Sequence, residues 1–593
     1  MKSRVTWLRS GDRNTKFFHA VTKNRRAHNR IKSLLDEDGK EKFSDAELGK
    51  VAEQYFKLLF STEDVGVELE EWNQISPVIT VKQNDALLEP VTREVVRKAV
   101  FEINPHKCPG PDGMNSHFFQ QFWDTCADDV TSLVQRFFQN GVMEEGINCT
   151  NICLIPKVLN AKKMCEYRPI SLCNVSYKII SKVMARRMKN ILPSVISETQ
   201  AAFMEGRLIS DNILIAHELL HALSSDNKCD HEHIAIKTDI SKAYDRYQML
   251  KRAEEAGKIS GLRVARRAPT ISHLLFVDDS MLYCKSSEEE LEAVNQILKR
   301  YSLASGQRIN FQKSSIYFGK HITKRRREEI KAKLGIENTG GKGFYLGVPE
   351  SFGGPNVSLL SYLNENMEQR VQGWQTKFLS LAGKDVLLKA VAMALPTYTM
   401  ACFLIPKTIC KQIVSIMVDF WWRSNKESRG MHWKSWDKLC TSKNCGGLGF
   451  RDLEAYNLAL LGKQLWRIIT NKSSLLARVY KSRYFKKSEV LNAPLGYRPS
   501  YAWRSLHVAQ KLIQQGARMV IGNGKSTKIW QDYWIGKQPA TKVQSMVLGE
   551  NLGREAISED LRVSELIDQS GRAWNEDRLG ESSQKRSSNK LDA

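Results

Sequence analysis

Two short apolar runs, Leu274–Val277 and Met281–Cys284, are separated only by Asp278, Asp279 and Ser280. Runs this short, broken by turn-forming residues, fold as paired β-strands. The spacing predicts a β-hairpin with two carboxylates at its tip. Taken alone, Asp-Asp-Ser is ordinary turn chemistry. A second acidic strand upstream changes its meaning. Ile234-Ala-Ile-Lys-Thr-Asp239 is an apolar run ending on an aspartate, with Tyr244 and Asp245 a few residues on. Carboxylates at the ends of two adjacent strands can hold hard cations, because Mg²⁺ takes oxygen ligands and binds through one or two carboxylates plus substrate phosphates. Two such ions can clamp the attacking and leaving oxygens of a phosphoryl displacement. Asp239, Asp278 and Asp279 are therefore the candidate catalytic and metal-binding residues.

The charge balance points to the partner. The chain has 593 residues, several domains' worth, and a formal net charge of +24. A Lys and Arg surplus spread over many segments predicts a polyanion, and nucleic acid is the common one. Trp7–His19 and Lys23–Arg26 interleave basic and aromatic residues, which suits phosphate contact and base stacking; a basic helix packing through Trp7, Phe17 and Phe18 fits equally well. The twelve cysteines include no Cys-x-x-Cys pair, so zinc is weakly supported. The first residues are too polar for a secretory signal, and no apolar run is long enough to span a bilayer. These features predict an intracellular protein, nuclear or cytoplasmic, with free thiols.

Further signals are local. Ser44-Asp-Ala-Glu47 is a capping box opening a helix. Residues 92–103 have helical periodicity and stop before Pro105. Lys107-Cys-Pro-Gly-Pro-Asp-Gly113 predicts a rigid loop. Asn151–Lys157 and Tyr167–Leu172 read as two strands, each carrying a cation, Lys157 and Arg168; paired, they could grip a triphosphate. Residues 176–192, 211–223 and 288–301 read as helices. Lys324–Arg327 is a basic run on a helix, normally a solvated face. Trp421, Trp422, Trp433 and Trp436 read mainly as core. Residues from about 500 read as a small strand-containing module, and 581–593 as a disordered tail.

Phe276-Val-Asp-Asp279 resembles the aromatic-x-Asp-Asp hairpin of reverse transcriptases, and Lys237–Asp245 resembles their first metal-binding strand. The wording is most similar to the LINE-type, non-LTR retrotransposons of plants, along nearly the whole chain. The resemblance implies an α+β, right-hand polymerase with fingers, an antiparallel palm sheet and a thumb, followed by a mostly helical C-terminal region. The implied boundaries are a basic leader at 1–90, fingers at 91–236, palm at 237–350, thumb at 351–480, a small module at 481–580 and a tail at 581–593. It implies an RNA-directed DNA polymerase using two Mg²⁺, with an RNA template, a DNA primer or target and deoxynucleoside triphosphates as partners. Lys157 and Arg168 would steady the nucleotide. Tyr244 would lie under its sugar as a gate against a 2′-hydroxyl, and Lys313 would lie near the leaving pyrophosphate. Arg207, in Gln200–Arg207, matches the fingers–palm junction. Tyr345, Leu346 and Gly347, in Phe344–Gly347, match the primer-grip hairpin.

The sequence also departs from the family. After Tyr247 the long segment containing a Gly-Gln-Gly-Asp-Pro-like loop is missing, as in an internal deletion or a mispredicted splice junction, so the palm is expected to be incomplete. Val277 stands where the family usually has alanine. No endonuclease precedes the leader, and the terminal Cys/His motif is absent. The alternative expectation is a catalytically inactive remnant that binds nucleic acid.

Overall fold

The computed structural model describes residues 23–27, 29–61, 78–158, 160–225, 232–239, 246–305, 309–341, 343–352, 356–374, 379–423, 430–517, 520–525, 527–529, 561–567 and 574. Tyr244, Asp245, the Trp7–His19 stretch and the 581–593 tail lie outside these residues.

The N-terminal part is built from local signals. Leu34–Leu35 pairs with Glu41–Lys42 around Gly39, which takes φ 78°. Helix α1 (Asp45–Phe60) then opens on its capping box: the Glu47 amide donates to Ser44 Oγ at 3.4 Å, and the Ser44 amide to Glu47 Oε2 at 3.3 Å. Helices α2 (Arg93–Glu102), α3 (Trp123–Asn140) and α4 (Val175–Met188) share a core of Val96, Ala99, Trp123, Ala127, Val134, Ile179 and Val183. The loop between α2 and α3 packs closely on the start of α4. A Cβ on Gly110 would stand 2.2 Å from Asn174 Oδ1, so only glycine fits there.

Strands β1 (Thr150–Pro156) and β2 (Tyr167–Cys173) form an antiparallel ribbon that no other strand joins among the described residues. Such a ribbon is marginal alone. Tyr167 and Met164 anchor its end in a small core with Leu34 and Val51.

The central sheet is four-stranded and wholly antiparallel. Helix α5 (Ile209–Ser224) leads into β3 (His233–Asp239), and α6 (Arg246–Glu255) follows. Next come β4 (His273–Phe276), β5 (Asp279–Lys285), α7 (Glu288–Ser305), β6 (Ser315–Phe318) and α8 (Lys324–Leu334). The strand order is β4-β5-β3-β6. Both faces are covered, so the strands are apolar at nearly every position. Ile234, Ile236, Leu282, Cys284 and Ile316 meet Leu250, Leu291, Val294, Leu298 and Ile330 on one side. The residues between them, Ala235, Met281, Tyr283 and Tyr317, join Ile213, Leu214 and Leu219 of α5 on the other. This is the period-2 alternation of a strand with a core on each face.

The remainder is mostly helical. A small hairpin, β7 (Phe344–Tyr345) and β8 (Val348–Pro349), precedes α9 (Tyr362–Gln372), α10 (Leu381–Ala390) and α11 (Lys407–Trp422). These helices enclose their own core of Leu363, Met367, Leu387, Ile413, Met417 and Phe420. Trp421 is buried there, whereas Trp433 is 75% exposed and is not core. The buried Lys384 ammonium donates to the carbonyls of Trp421 (3.1 Å) and Arg423 (2.6 Å), closing the end of α11; burial lowers its pKa. No described helix is long and apolar enough to cross a membrane.

Helices α12 (Leu453–Thr470), α13 (Leu475–Tyr484) and α14 (Tyr501–Val508) pack in the same core as α5. Their attachment is also polar. Arg467 holds both Asp211 oxygens, at 2.6 and 2.9 Å. Glu218, fully buried on α5, accepts from Arg483 at 3.2 Å, from the Tyr484 hydroxyl at 2.9 Å and from the Ser500 hydroxyl. Arg483→Met would strand that carboxylate in the core. It is expected to cost about 3 kcal/mol in a denaturant titration, and pairing it with Glu218→Gln should restore part of the loss.

Candidate functional site

The register of β3 against β5 brings the acidic positions to one edge of the sheet. Asp239 is the direct partner of Asp279, and Thr238 of Ser280. Directly opposed residues of an antiparallel pair share a face, with Cβ atoms about 5 Å apart. Strand β4 pairs Phe276 with Asp279, so Val277 and Asp278 form a two-residue turn at the same edge. Asp278 is exposed and Asp279 half-buried. On the opposite face from the carboxylate positions, Thr238 Oγ1 and Ser280 Oγ lie 2.7 Å apart, fully buried, which ties the two strand ends together. Val277 adopts φ 55°, the left-handed region that a β-branched side chain strongly disfavours.

A second hairpin faces this edge. Leu346 (φ 47°) and Gly347 (φ 78°) form the two-residue turn between β7 and β8, with the mirror-image turn geometry that tight hairpins prefer. The Tyr398 hydroxyl donates to the Leu346 carbonyl at 2.6 Å and clasps the turn. Tyr345 is fully buried, and burial, then the Asp279 charge, raises its phenol pKa. Lys237, two residues before Asp239, donates to Glu350 Oε1 at 3.1 Å and to the Phe344 carbonyl, joining β3 to this hairpin. Burial would raise the Glu350 carboxyl. Tyr317, the Gly341 amide and Lys237 outweigh it and hold the pKa below 4.5.

The edge is braced from the other side. Leu275 of β4 accepts from Asn212 Nδ2 at 2.9 Å and from the Ala201 amide at 3.2 Å, and its own amide donates to the Thr199 carbonyl at 3.0 Å. Gln200 thus pairs in parallel with Leu275. Arg207 donates to the carbonyls of Gln200 (2.6 Å), Ile196 (3.3 Å) and Ser197, so its guanidinium grips the backbone of this bracing segment.

The remaining candidates are spread around the sheet. Lys313 is exposed in the turn leading into β6, whose first residue, Ser315, pairs with Lys237; it enters the sheet from the carboxylate edge. On the separate ribbon, Arg168 pairs with Ile155, which puts Lys157 and Arg168 on one face. Lys157 Nζ donates to the Cys165 carbonyl at 2.7 Å, and the exposed Arg168 guanidinium makes no hydrogen bond or ion pair among the described residues. Tyr244 lies outside the described residues. No group of three His, Cys, Asp or Glu side chains that could hold a metal occurs among the described residues. Sequence reasoning missed Glu350, Asn212 and Tyr398. Each acts through a partner far along the chain, and no local signal marks them.

Residues 159–263 match the family described as reverse transcriptase (RNA-dependent DNA polymerase). The matched interval contains Arg168, Arg207 and Asp239 and ends before the Asp278-Asp279 hairpin. The chain is 49% identical over 144 residues to the uncharacterized mitochondrial protein AtMg00310 of Arabidopsis thaliana, covering 24% of this chain and 94% of that protein. It is 30% identical over 223 residues to the transposon TX1 uncharacterized 149 kDa protein of Xenopus laevis, covering 37% of this chain and 17% of that one.

Two outcomes follow from the geometry. Val277→Gly removes a left-handed cost of about 1–2 kcal/mol, less the roughly 0.5–1 kcal/mol of added unfolded-state freedom. A small net stabilisation is expected in a denaturant titration. Because the Glu350 pKa lies below its unfolded value, its stabilisation is present above pH 4.5 and is lost as pH falls through the lowered value. Glu350→Gln should flatten that acid limb of the stability profile.

Proposed function

The chain belongs to the family of the Arabidopsis protein AtMg00310 and carries a reverse-transcriptase domain related to plant and retrotransposon sequences; from that premise we propose that it is the polymerase of a LINE-type element, extending a DNA primer on an RNA template. One observation carries this reading: β3 ends on Asp239 directly opposite Asp279, with Asp278 in the adjoining turn. Three carboxylates make the anionic, all-oxygen donor set that Mg²⁺ takes. Asp239, Asp278 and Asp279 would hold two ions, which when bound supply charge neutralisation at the attacking and leaving oxygens. In this reading the four-stranded sheet is the palm, helices α2–α4 and the ribbon belong to the fingers, and α9–α11 belong to the thumb.

The chain's own residues then position the reactants. Lys157 and Arg168 steady the triphosphate from one face of the ribbon. Tyr244, outside the described residues, would exclude a 2′-hydroxyl by its place in the motif that resembles the first metal-binding strand. Lys313 gives its Nζ proton to the departing pyrophosphate. Tyr345, Leu346 and Gly347 support the primer end, and Arg207 steadies the segment beside β4. Most of the acceleration comes from alignment and charge stabilisation. Such a protein works inside the cell, in nucleus or cytoplasm, where its template and nucleotides are.

A second reading rests on the connection from β3 to β4. It contains α6 and no Gly-Gln-Gly-Asp-Pro-like sequence to seat the template base. The protein would then bind primer–template without extending it. Primer extension on an RNA template with Mg²⁺, run beside Asp278→Asn and Asp279→Asn, separates the two. Incorporation that both substitutions abolish is expected for the polymerase. Salt-sensitive binding without incorporation favours the remnant. A protein that binds no nucleic acid overturns both.

A further inference from the structure

We propose that Phe203 is a stacking platform for an unpaired nucleobase at the carboxylate edge of the sheet; this rests on the polymerase reading and assigns a binding residue within it. Phe203 is 79% exposed, whereas Ala201, Ala202 and Met204 around it are buried to 7% exposure or less. Its backbone adopts φ 60°, so the turn holds a bulky L-residue in the left-handed region and turns its ring outward. The turn is fixed at its base by the Arg207 guanidinium on the carbonyls of Gln200, Ile196 and Ser197, and by the Ala201 amide on the Leu275 carbonyl.

Topology places this ring beside the acidic turn. The Gln200–Leu275 bridge is parallel, so the chain leaving Gln200 runs the same way as β4 leaving Leu275. Phe203 follows Gln200 by the same interval as Asp278 follows Leu275, and each lies in the turn that ends its run, Phe203's being closed by the Met204 amide on the Ala201 carbonyl at 3.5 Å. Both residues therefore emerge at one edge. Among the described residues five non-glycine positions have positive φ, and three of them, Phe203, Val277 and Leu346, lie around that edge. Backbone strain gathered in this way marks binding and catalytic sites.

The chemistry of the ring selects the occupant. A protein partner is marked by a contiguous apolar patch rather than by a single ring. Within residues 201–206 Phe203 is the one large apolar side chain that is exposed, since Met204 is buried and Glu205 is paired to Lys189 at 2.9 Å. One exposed aromatic face is enough for a base, since every base presents a π-face, and the +24 chain draws in the backbone that carries it.

The test compares the full chain with Phe203→Asn and Phe203→Trp. The probes are a labelled single strand, a primer–template with a single-stranded overhang, and a blunt duplex. Asparagine tolerates the left-handed backbone, so Phe203→Asn should melt at or above the wild-type temperature. It should bind the single strand and the overhang about tenfold more weakly and the blunt duplex unchanged, with the same salt slope, because stacking releases no counterions. Phe203→Trp should retain binding. Unchanged affinity in Phe203→Asn, an equal loss on all three probes, or a lowered melting temperature overturns the assignment while leaving the polymerase reading standing. A wild-type protein that binds none of the probes overturns both.

Discussion

The pairing register of β3 with β5 is the constraint on which the site depends. Side chains alternate along a strand, so a slip by one residue would move Asp239 to the face opposite Asp279. The slip is opposed on both faces. It would drive Ile234 and Ile236 out of the core they share with Leu282 and Cys284, and Ala235 away from Tyr283. It would also separate the buried Thr238 and Ser280 hydroxyls, leaving two polar groups unsatisfied. The apolar residues that build the sheet therefore also align its carboxylate positions.

The parts of this arrangement set by neighbours in sequence were readable in advance. The capping box at Ser44, the stop before Pro105 and the Asp278-Asp279 hairpin each carry their instructions within a few residues. The bracing was not readable. Lys237 meets Glu350, and Tyr398 meets the Leu346 carbonyl, across long stretches of chain, so neither pairing leaves a local pattern. Arg207 was legible as a cation but not as a backbone clamp, because a carbonyl partner has no sequence signature. Strand β3 itself was legible, since a short apolar run bounded by polar residues reads as a buried strand.

The surplus of positive charge is not one uniform surface. The basic run on α8 is engaged with acidic neighbours: Arg326 reaches Glu288 at 2.7 Å, and Arg325 reaches Glu329 at 3.1 Å. Such exposed pairs add little stability, but they reduce the local potential. Arg168 on the ribbon has no such partner among the described residues, and with Lys157 it gives that strand pair a cationic face. Local neutralisation thus shapes where a polyanion is attracted, within a chain whose overall sign is set by composition.

Helix α5 lies between the sheet and the last helices, and this has a consequence for biogenesis. Its buried glutamate finds the Ser500 hydroxyl across 282 positions of chain, and the core around it includes Trp503 and Leu506. On a ribosome that delivers residues in order, the strands emerge long before the helices that complete their support. Until then the apolar face of α5 stands open. During that interval the central sheet is covered on one face only, and exposed apolar surface of this kind is what makes partly folded chains prone to aggregate.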